Sequence, residues 1–188
     1  GPMLSDRVIV AAGPWTARLI PQLSSRLTVT RQDVGFYKAV EKGHGADSQT
    51  VWIYIGHDES SHYYGLPEDG NTAKAAAHIR TGPADDPDLF ATQREDALHR
   101  LDAFMNRHFH RTLRRVSFDT CPYTSTENDD FIIDHHPEDE RVVFGAGFSG
   151  HGFKFGPLIG RVLAQLSTTG RSTIEEFVTM EKQLSINP

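Results

Sequence analysis

Residues 141–160 read RVVFGAGFSGHGFKFGPLIG. Val142, Val143 and Phe144 form an apolar run of strand length, and GAGFSG, Gly145 to Gly150, has the G-x-G-x-x-G spacing of a dinucleotide-binding turn. In such a unit the third glycine opens a helix, a second parallel strand follows, and an acidic residue about 20 positions on meets the ribose. Here Gly150 is followed by HGFKFGP, and helical spacing starts only at Pro157. Proline suits a first helical position, and Leu158, Ile159, Val162, Leu163 and Leu166 then share one face. Past Gly170 comes a short tail with no second strand. The stretch is a strand, a glycine loop and a closing helix, and it makes a poor phosphate cradle.

Working outward, the other segments supply strands and one long helix. RVIVAAG, from Arg7, is a short apolar strand entering a glycine turn, and PWTARLI is a short helix opened by Pro14. LTVTRQDVGFYKAV, TVWIYIG and, after a turn at His57 to Ser60, SSHYYGL are rich in β-branched and aromatic residues and read as strands, with EKGHGADSQ as a loop between the first two. TAKAAAHI fits either state: alanine favours helix, while its place after the LPEDGN turn suggests another strand of a meander. From about Asp88 to His108 the spacing is helical, with Ala97, Leu98, Leu101, Phe104 and Met105 on one side. TLRRVSFDTCPYTST is extended, and DDFIID and RVVFGAG make two strands around a turn at HHPEDE. The order predicts an α+β fold with a mainly antiparallel sheet.

Composition narrows the function classes. The 188 residues are 38% hydrophobic and 23% charged, ordinary for a globular domain, and a net charge of -6 without a basic run speaks against nucleic-acid binding. No apolar run reaches the roughly 20 residues of a membrane span, and no signal-peptide pattern precedes Val8. One cysteine, Cys121, rules out an internal disulfide and fits a reducing, cytoplasmic setting. Gly1 and Pro2 before Met3 read as the remnant of a cleaved tag. The histidines of HFH and DHHPEDE lack paired ligand spacing, so no metal site is expected.

Several of these stretches together carry a resemblance. CPYTSTENDDFIIDHHPEDERVVFGAGFSGHGFKFGPLIG resembles the C-terminal signature of the monomeric sarcosine oxidase and N-methyl-tryptophan oxidase group, within the D-amino-acid-oxidase-like flavoproteins. YYGLP with AKAAAH resembles the group's substrate-domain strands, and VIVAAGPWTARL the turn that completes its flavin domain. The resemblance divides the chain into the end of an FAD-binding domain at 3–27, a substrate domain at 28–118 and a flavin-side segment at 119–188. It also reassigns GAGFSG. In this group the ADP half of FAD is held by a different glycine motif, and the C-terminal loop lies against the flavin ring and ribityl chain.

The resemblance implies roles residue by residue. Cys121 matches a cysteine joined to the flavin 8α-methyl carbon by a thioether. Gly13 and Trp15 match the turn beside the adenosine half, and Gly145, Gly147, Phe148, Gly150, His151, Gly152 and Lys154 the loop at the flavin, where glycines let backbone N–H groups approach closely. Lys154 also matches a lysine near the substrate carboxylate. Lys74 matches the lysine associated with oxygen activation, and His78 an active-site histidine. On a strand their even spacing puts both on one face. Tyr64 and Tyr123 match tyrosines lining the substrate pocket. Ordinary packing is the competing reading for Cys121, Tyr64 and Tyr123, and a solvated surface position for Lys154.

The activity implied is oxidation of N-methyl amino acids or similar small secondary amines with O2, giving imine and H2O2, with FAD as cofactor. The group's N-terminal nucleotide-binding half has no counterpart in this sequence. The expectation is therefore a truncated chain, inactive in isolation, whose partner is a separate N-terminal half or a second copy. The alternative is a flavin-free binding module on the same scaffold.

Overall fold

The computed structural model describes residues 1, 3–39, 50–58, 62–68, 72–78, 86–89, 95–109 and 113–174. The loop expected at EKGHGADSQ lies outside them, as do parts of the turns after His57 and Leu66, positions 90–94 of the long helix and the tail beyond 174.

The order of elements is β1 (Val8–Val10), a 3-10 turn (Gly13–Trp15), α1 (Thr16–Leu19), a 3-10 turn (Pro21–Leu23), β2 (Thr28–Ala39), β3 (Trp52–Tyr54), β4 (Tyr63–Pro67) and β5 (Thr72–Ala77). A 3-10 turn (Pro87–Leu89), α2 (Glu95–His108), β6 (Leu113–Ser125), β7 (Ile132–His136), β8 (Asp139–Ala146), a 3-10 turn (Phe153–Phe155) and α3 (Gly156–Thr169) complete it. The chain divides into two compact units, Gly1–Val29 with Tyr123–Pro188, and Thr30–Pro122. β2 and β6 each run from one unit into the other.

In the first unit three strands stand in the order β1-β8-β7, with β1 parallel to β8 and β7 antiparallel to it. Strand alternation assigns the two faces. Ile132, Phe144 and Ala146 pack with Val10 against Ile20, Leu23 and Leu27, whereas Ile133 and Val143 pack against Ile159, Val162, Leu163 and Leu166 of α3. Burying each of those α3 side chains contributes roughly 1.5–3 kcal/mol. Gly170 stops α3 at φ 74, its N–H donating to Leu166 C=O at 3.0 Å.

In the second unit five strands stand in the order β3-β4-β5-β2-β6. Tyr63 lies opposite Ala77, Tyr64 opposite Ala76 and Leu66 opposite Lys74; β2 continues the register with Val34 opposite Ala76 and Phe36 opposite Lys74. One face carries Trp52, Tyr63, Ala75 and Tyr37 and receives α2 through Leu101, Phe104 and Met105. Tyr63 stacks on Phe104 with centroids 3.8 Å apart. The Tyr37 hydroxyl donates to Asp102 on α2 at 2.8 Å, and Arg115 on β6 donates to the same carboxylate at 3.0 and 3.2 Å. Burial first, then the bond to Asp102, holds the Tyr37 phenol far above the ordinary tyrosine value.

The fold is α+β; one open choice is resolved and two expectations need correction. TAKAAAHI is a strand over Thr72–Ala77: pairing on both sides outweighs the helix propensity of alanine. The turn HHPEDE shrinks to Pro137 and Glu138, because His136 and Asp139 are still paired. Arg141 binds Asp139 at 2.8 and 2.9 Å and holds its carboxyl at about 2. Helical structure also begins before Pro157, with the 3-10 turn at Phe153–Phe155 leading into α3 at Gly156.

Candidate functional site

The expected residues fall into two groups, one in each unit. Tyr64, Lys74, His78 and Cys121 belong to the second unit; Gly13, Trp15, Tyr123, Gly145, Gly147, Phe148, Gly150, His151, Gly152 and Lys154 belong to the first.

In the second unit Tyr64, Lys74 and His78 share the face turned away from α2. Lys74 is on β5, one residue out of phase with Ala73 and Ala75 of the α2 face, and its strand neighbours Leu66 and Phe36 stand beside it. Tyr64 precedes Leu66 by two and so points the same way. His78 lies just past β5, where its N–H extends the ladder by donating to His62 C=O at 2.8 Å. The rings of Tyr64 and His78 meet edge-on, centroids 6.4 Å apart at 78°. All three are half-buried. Cys121 is a free cysteine on β6. Burial of its sulfur raises the thiol pKa, and the charge of Lys74 pulls it back.

In the first unit the two parallel strands end at the same level. Val10 pairs with Phe144, and three residues beyond each stands a glycine of positive φ, Gly13 at 53° and Gly147 at 68°. The carboxyl ends of adjacent parallel strands are where open α/β sheets bind ligands. A Cβ on Gly13 would enter open space, and Trp15 is 41% exposed beside it. The loop after β8 is built differently. A Cβ on Gly150 would come within 2.4 Å of the Tyr123 ring, one on Gly147 within 2.6 Å of Thr126 Cγ2, and one on Gly152 within 2.6 Å of Phe148 Cβ. These glycines make room first for the protein's own side chains. Phe148 packs toward α3 with its ring edge-to-face on Phe131 at 5.1 Å, and His151 lies 5.0 Å from the same ring.

Ser149, which the sequence reading passed over, is fully buried at φ 50°. Its N–H donates to Thr124 C=O at 3.0 Å, its hydroxyl donates to Gly147 C=O at 3.0 Å, and the Thr126 N–H donates to that hydroxyl at 3.4 Å. Nothing in the sequence marks it, since a serine between glycines reads as an exposed turn residue. Lys154 is exposed, with Nζ 5.2 Å from the Phe155 centroid, and Phe153 is 99% exposed. Among the described residues there is no cluster of His, Cys, Asp and Glu able to hold a metal ion, and no helix long and apolar enough to cross a membrane.

The pattern of the FAD dependent oxidoreductase family, DAO, matches residues 4–166. The chain belongs to this family. It is 34% identical over 181 residues to monomeric sarcosine oxidase of Bacillus sp. (strain B-0618), a match covering 92% of this chain and 45% of that protein. It is 30% identical over 184 residues to N-methyl-L-tryptophan oxidase of Yersinia pestis (strain Pestoides F), covering 93% and 47%. The fold is similar to that of the deglycating enzyme fructosamine oxidase from Aspergillus fumigatus (Amadoriase II), with a TM-score of 0.69 at 18% identity over 93% of this chain and 44% of that one. The chain thus spans less than half the length of each.

FAD is the family's cofactor, and features of this chain fit it. Gly13 leaves space where a Cβ would stand, at the carboxyl end of a parallel strand pair. For the backbone N–H groups of Phe148 and Gly150 no backbone acceptor stands among the described residues. Cys121 is the chain's one cysteine and a free thiol.

Proposed function

We propose that this chain is the C-terminal part of an FAD-dependent amine oxidase acting on N-methyl amino acids or similar small secondary amines, with O2 as oxidant and imine and H2O2 as products. The observation that carries this reading is the shared face of Tyr64, Lys74 and His78, turned away from the packed helix α2. Bound FAD would supply the two-electron chemistry, accepting a hydride equivalent from the amine and returning electrons to oxygen.

The chain's own residues hold and orient in this reading. Gly13, Trp15 and the Gly145–Gly152 backbone seat the cofactor, and Cys121 tethers it. The Lys154 ammonium takes the substrate carboxylate, its direction set by the Phe155 ring beneath it. Tyr64 and Tyr123 offer aromatic faces to an N-methyl cation. His78, whose ring meets that of Tyr64 edge-on, is the candidate base for the amine proton. Lys74 places a fixed positive charge where negative charge develops on oxygen.

The segments outside this match, 53–55% of each relative's length by the shares above, supply the remaining cofactor contacts, from the same polypeptide or a partner. Residues 1–188 alone are therefore inactive in this reading, and the protein works in a reducing, cytoplasmic setting. The visible absorption spectrum of the full-length protein tests the cofactor. Yellow colour that stays with acid-precipitated protein, and is lost from it in Cys121→Ser, supports the reading. Full-length protein that takes up no FAD refutes it.

A further inference from the structure

We propose that Ser149 is a positioning residue: its buried hydroxyl ties the Gly147–Gly152 loop to Thr126, the residue that follows β6, and thereby fixes the ring of Tyr123. Three hydrogen bonds meet at this one residue. The N–H donates to Thr124 C=O, the hydroxyl donates to Gly147 C=O, and the Thr126 N–H donates to the hydroxyl. Thr124 and Thr126 flank Ser125, the last residue of β6, and Tyr123 directly precedes them.

The conformation of Ser149 shows that the side chain itself is used. Its φ of 50° lies in the left-handed region, which disfavours any residue with a Cβ and which glycine enters freely. Glycines already stand at 145, 147, 150 and 152, so a fifth would relax the turn. A serine there accepts local strain and complete burial, and what it adds over glycine is the hydroxyl bridge.

The bridge acts on Tyr123 through Gly150. The ring of Tyr123 lies so close that a Cβ on Gly150 would sit 2.4 Å from Cε2 and 2.5 Å from Cζ. Tyr123 is 7% exposed, and the backbone of Gly150 forms the floor on which its ring rests. Moving the loop moves that floor. Ser149 touches no reacting group; it acts through Tyr123, and its importance for substrate rests on the pocket role proposed above.

The test needs neither flavin nor substrate, so its failure is distinct from failure of the oxidase reading. Protein labelled with 3-fluorotyrosine reports five rings by fluorine NMR, and hydrogen exchange reports the Thr126 amide. Ser149→Ala keeps the strain and loses the bridge; Ser149→Gly relieves the strain and loses the bridge. Both are expected to shift or broaden the Tyr123 resonance and to speed exchange at Thr126 by about tenfold or more, the other four tyrosines keeping their positions. A wild-type Tyr123 resonance and wild-type Thr126 exchange in Ser149→Gly would overturn the proposal, because the hydroxyl would then be idle. Changes spread over all five tyrosines, or unfolding of both variants, would also overturn it, since Ser149 would be holding the unit together rather than one ring.

Discussion

Tyr64 and His78 meet edge to face on the side of the five-stranded sheet that α2 does not cover, 6.4 Å apart between ring centroids. Tyr64 stands on β4 and His78 directly follows β5, its antiparallel neighbour, and Lys74 stands on the same face four residues before His78. Backbone pairing on both sides of β5 holds this arrangement, so its side chains can be removed one at a time without dismantling the strand.

Lys74→Met should slow reoxidation of reduced enzyme by O2 far more than reduction by substrate. A fixed charge beside developing negative charge contributes roughly 3–4 kcal/mol, about 100 to 1000 fold in rate. Stopped-flow measurement of the two half-reactions in flavin-loaded full-length protein checks this. Small, equal effects on both would leave Lys74 as a structural lysine.

Lys154→Met should show the opposite split. Carboxylate-bearing amines should bind more weakly, with KM rising about tenfold or more, while amines lacking a carboxylate and the oxygen half-reaction change little. The discriminating measurement is KM across a matched pair of substrates with and without the carboxylate.

Cys121 has a thiol pKa raised chiefly by burial and lowered by Lys74. For an acid, a raised pKa means that thiolate appears only at higher pH, so alkylation by iodoacetamide should gain rate at a pH above that of an ordinary thiol. Removing the Lys74 charge takes away the lowering influence, so Lys74→Met should move the profile further upward. A profile unmoved or lowered in Lys74→Met would remove Lys74 from the surroundings of Cys121.

Asp102→Ala should destabilise the second unit. It leaves the Tyr37 hydroxyl, on a residue 1% exposed, without its acceptor and takes the carboxylate from Arg115. An unsatisfied buried hydroxyl costs about 1–3 kcal/mol, whereas Asp102→Asn keeps an acceptor for Tyr37 and should cost less. Urea midpoints of the two variants give the comparison.

Much of the fold is legible in the sequence because the strands announce themselves locally. β-branched and aromatic content marks most of the strands, β5 with its alanines excepted, and the apolar faces of α2 and α3 follow helical spacing. What the sequence hides is long-range. The parallel pairing of β1 with β8 joins segments from opposite ends of the chain, and β2, buried on both faces from Val29 to Tyr37 save for Asp33 and Phe36, loses the alternation that would announce its place inside a sheet. In the site, the shared face of Lys74 and His78 follows from spacing once the segment is a strand. The contact of Gly150 with Tyr123 and the bridge at Ser149 do not, since both depend on where β6 meets the loop.

The most direct test of the central claim is anaerobic mixing of the flavin-loaded full-length protein with an N-methyl amino acid such as sarcosine. The account predicts bleaching of the visible flavin absorbance, its return when O2 is admitted, and H2O2 equivalent to the amine consumed. A protein holding stoichiometric FAD whose absorbance no small secondary amine bleaches would contradict it.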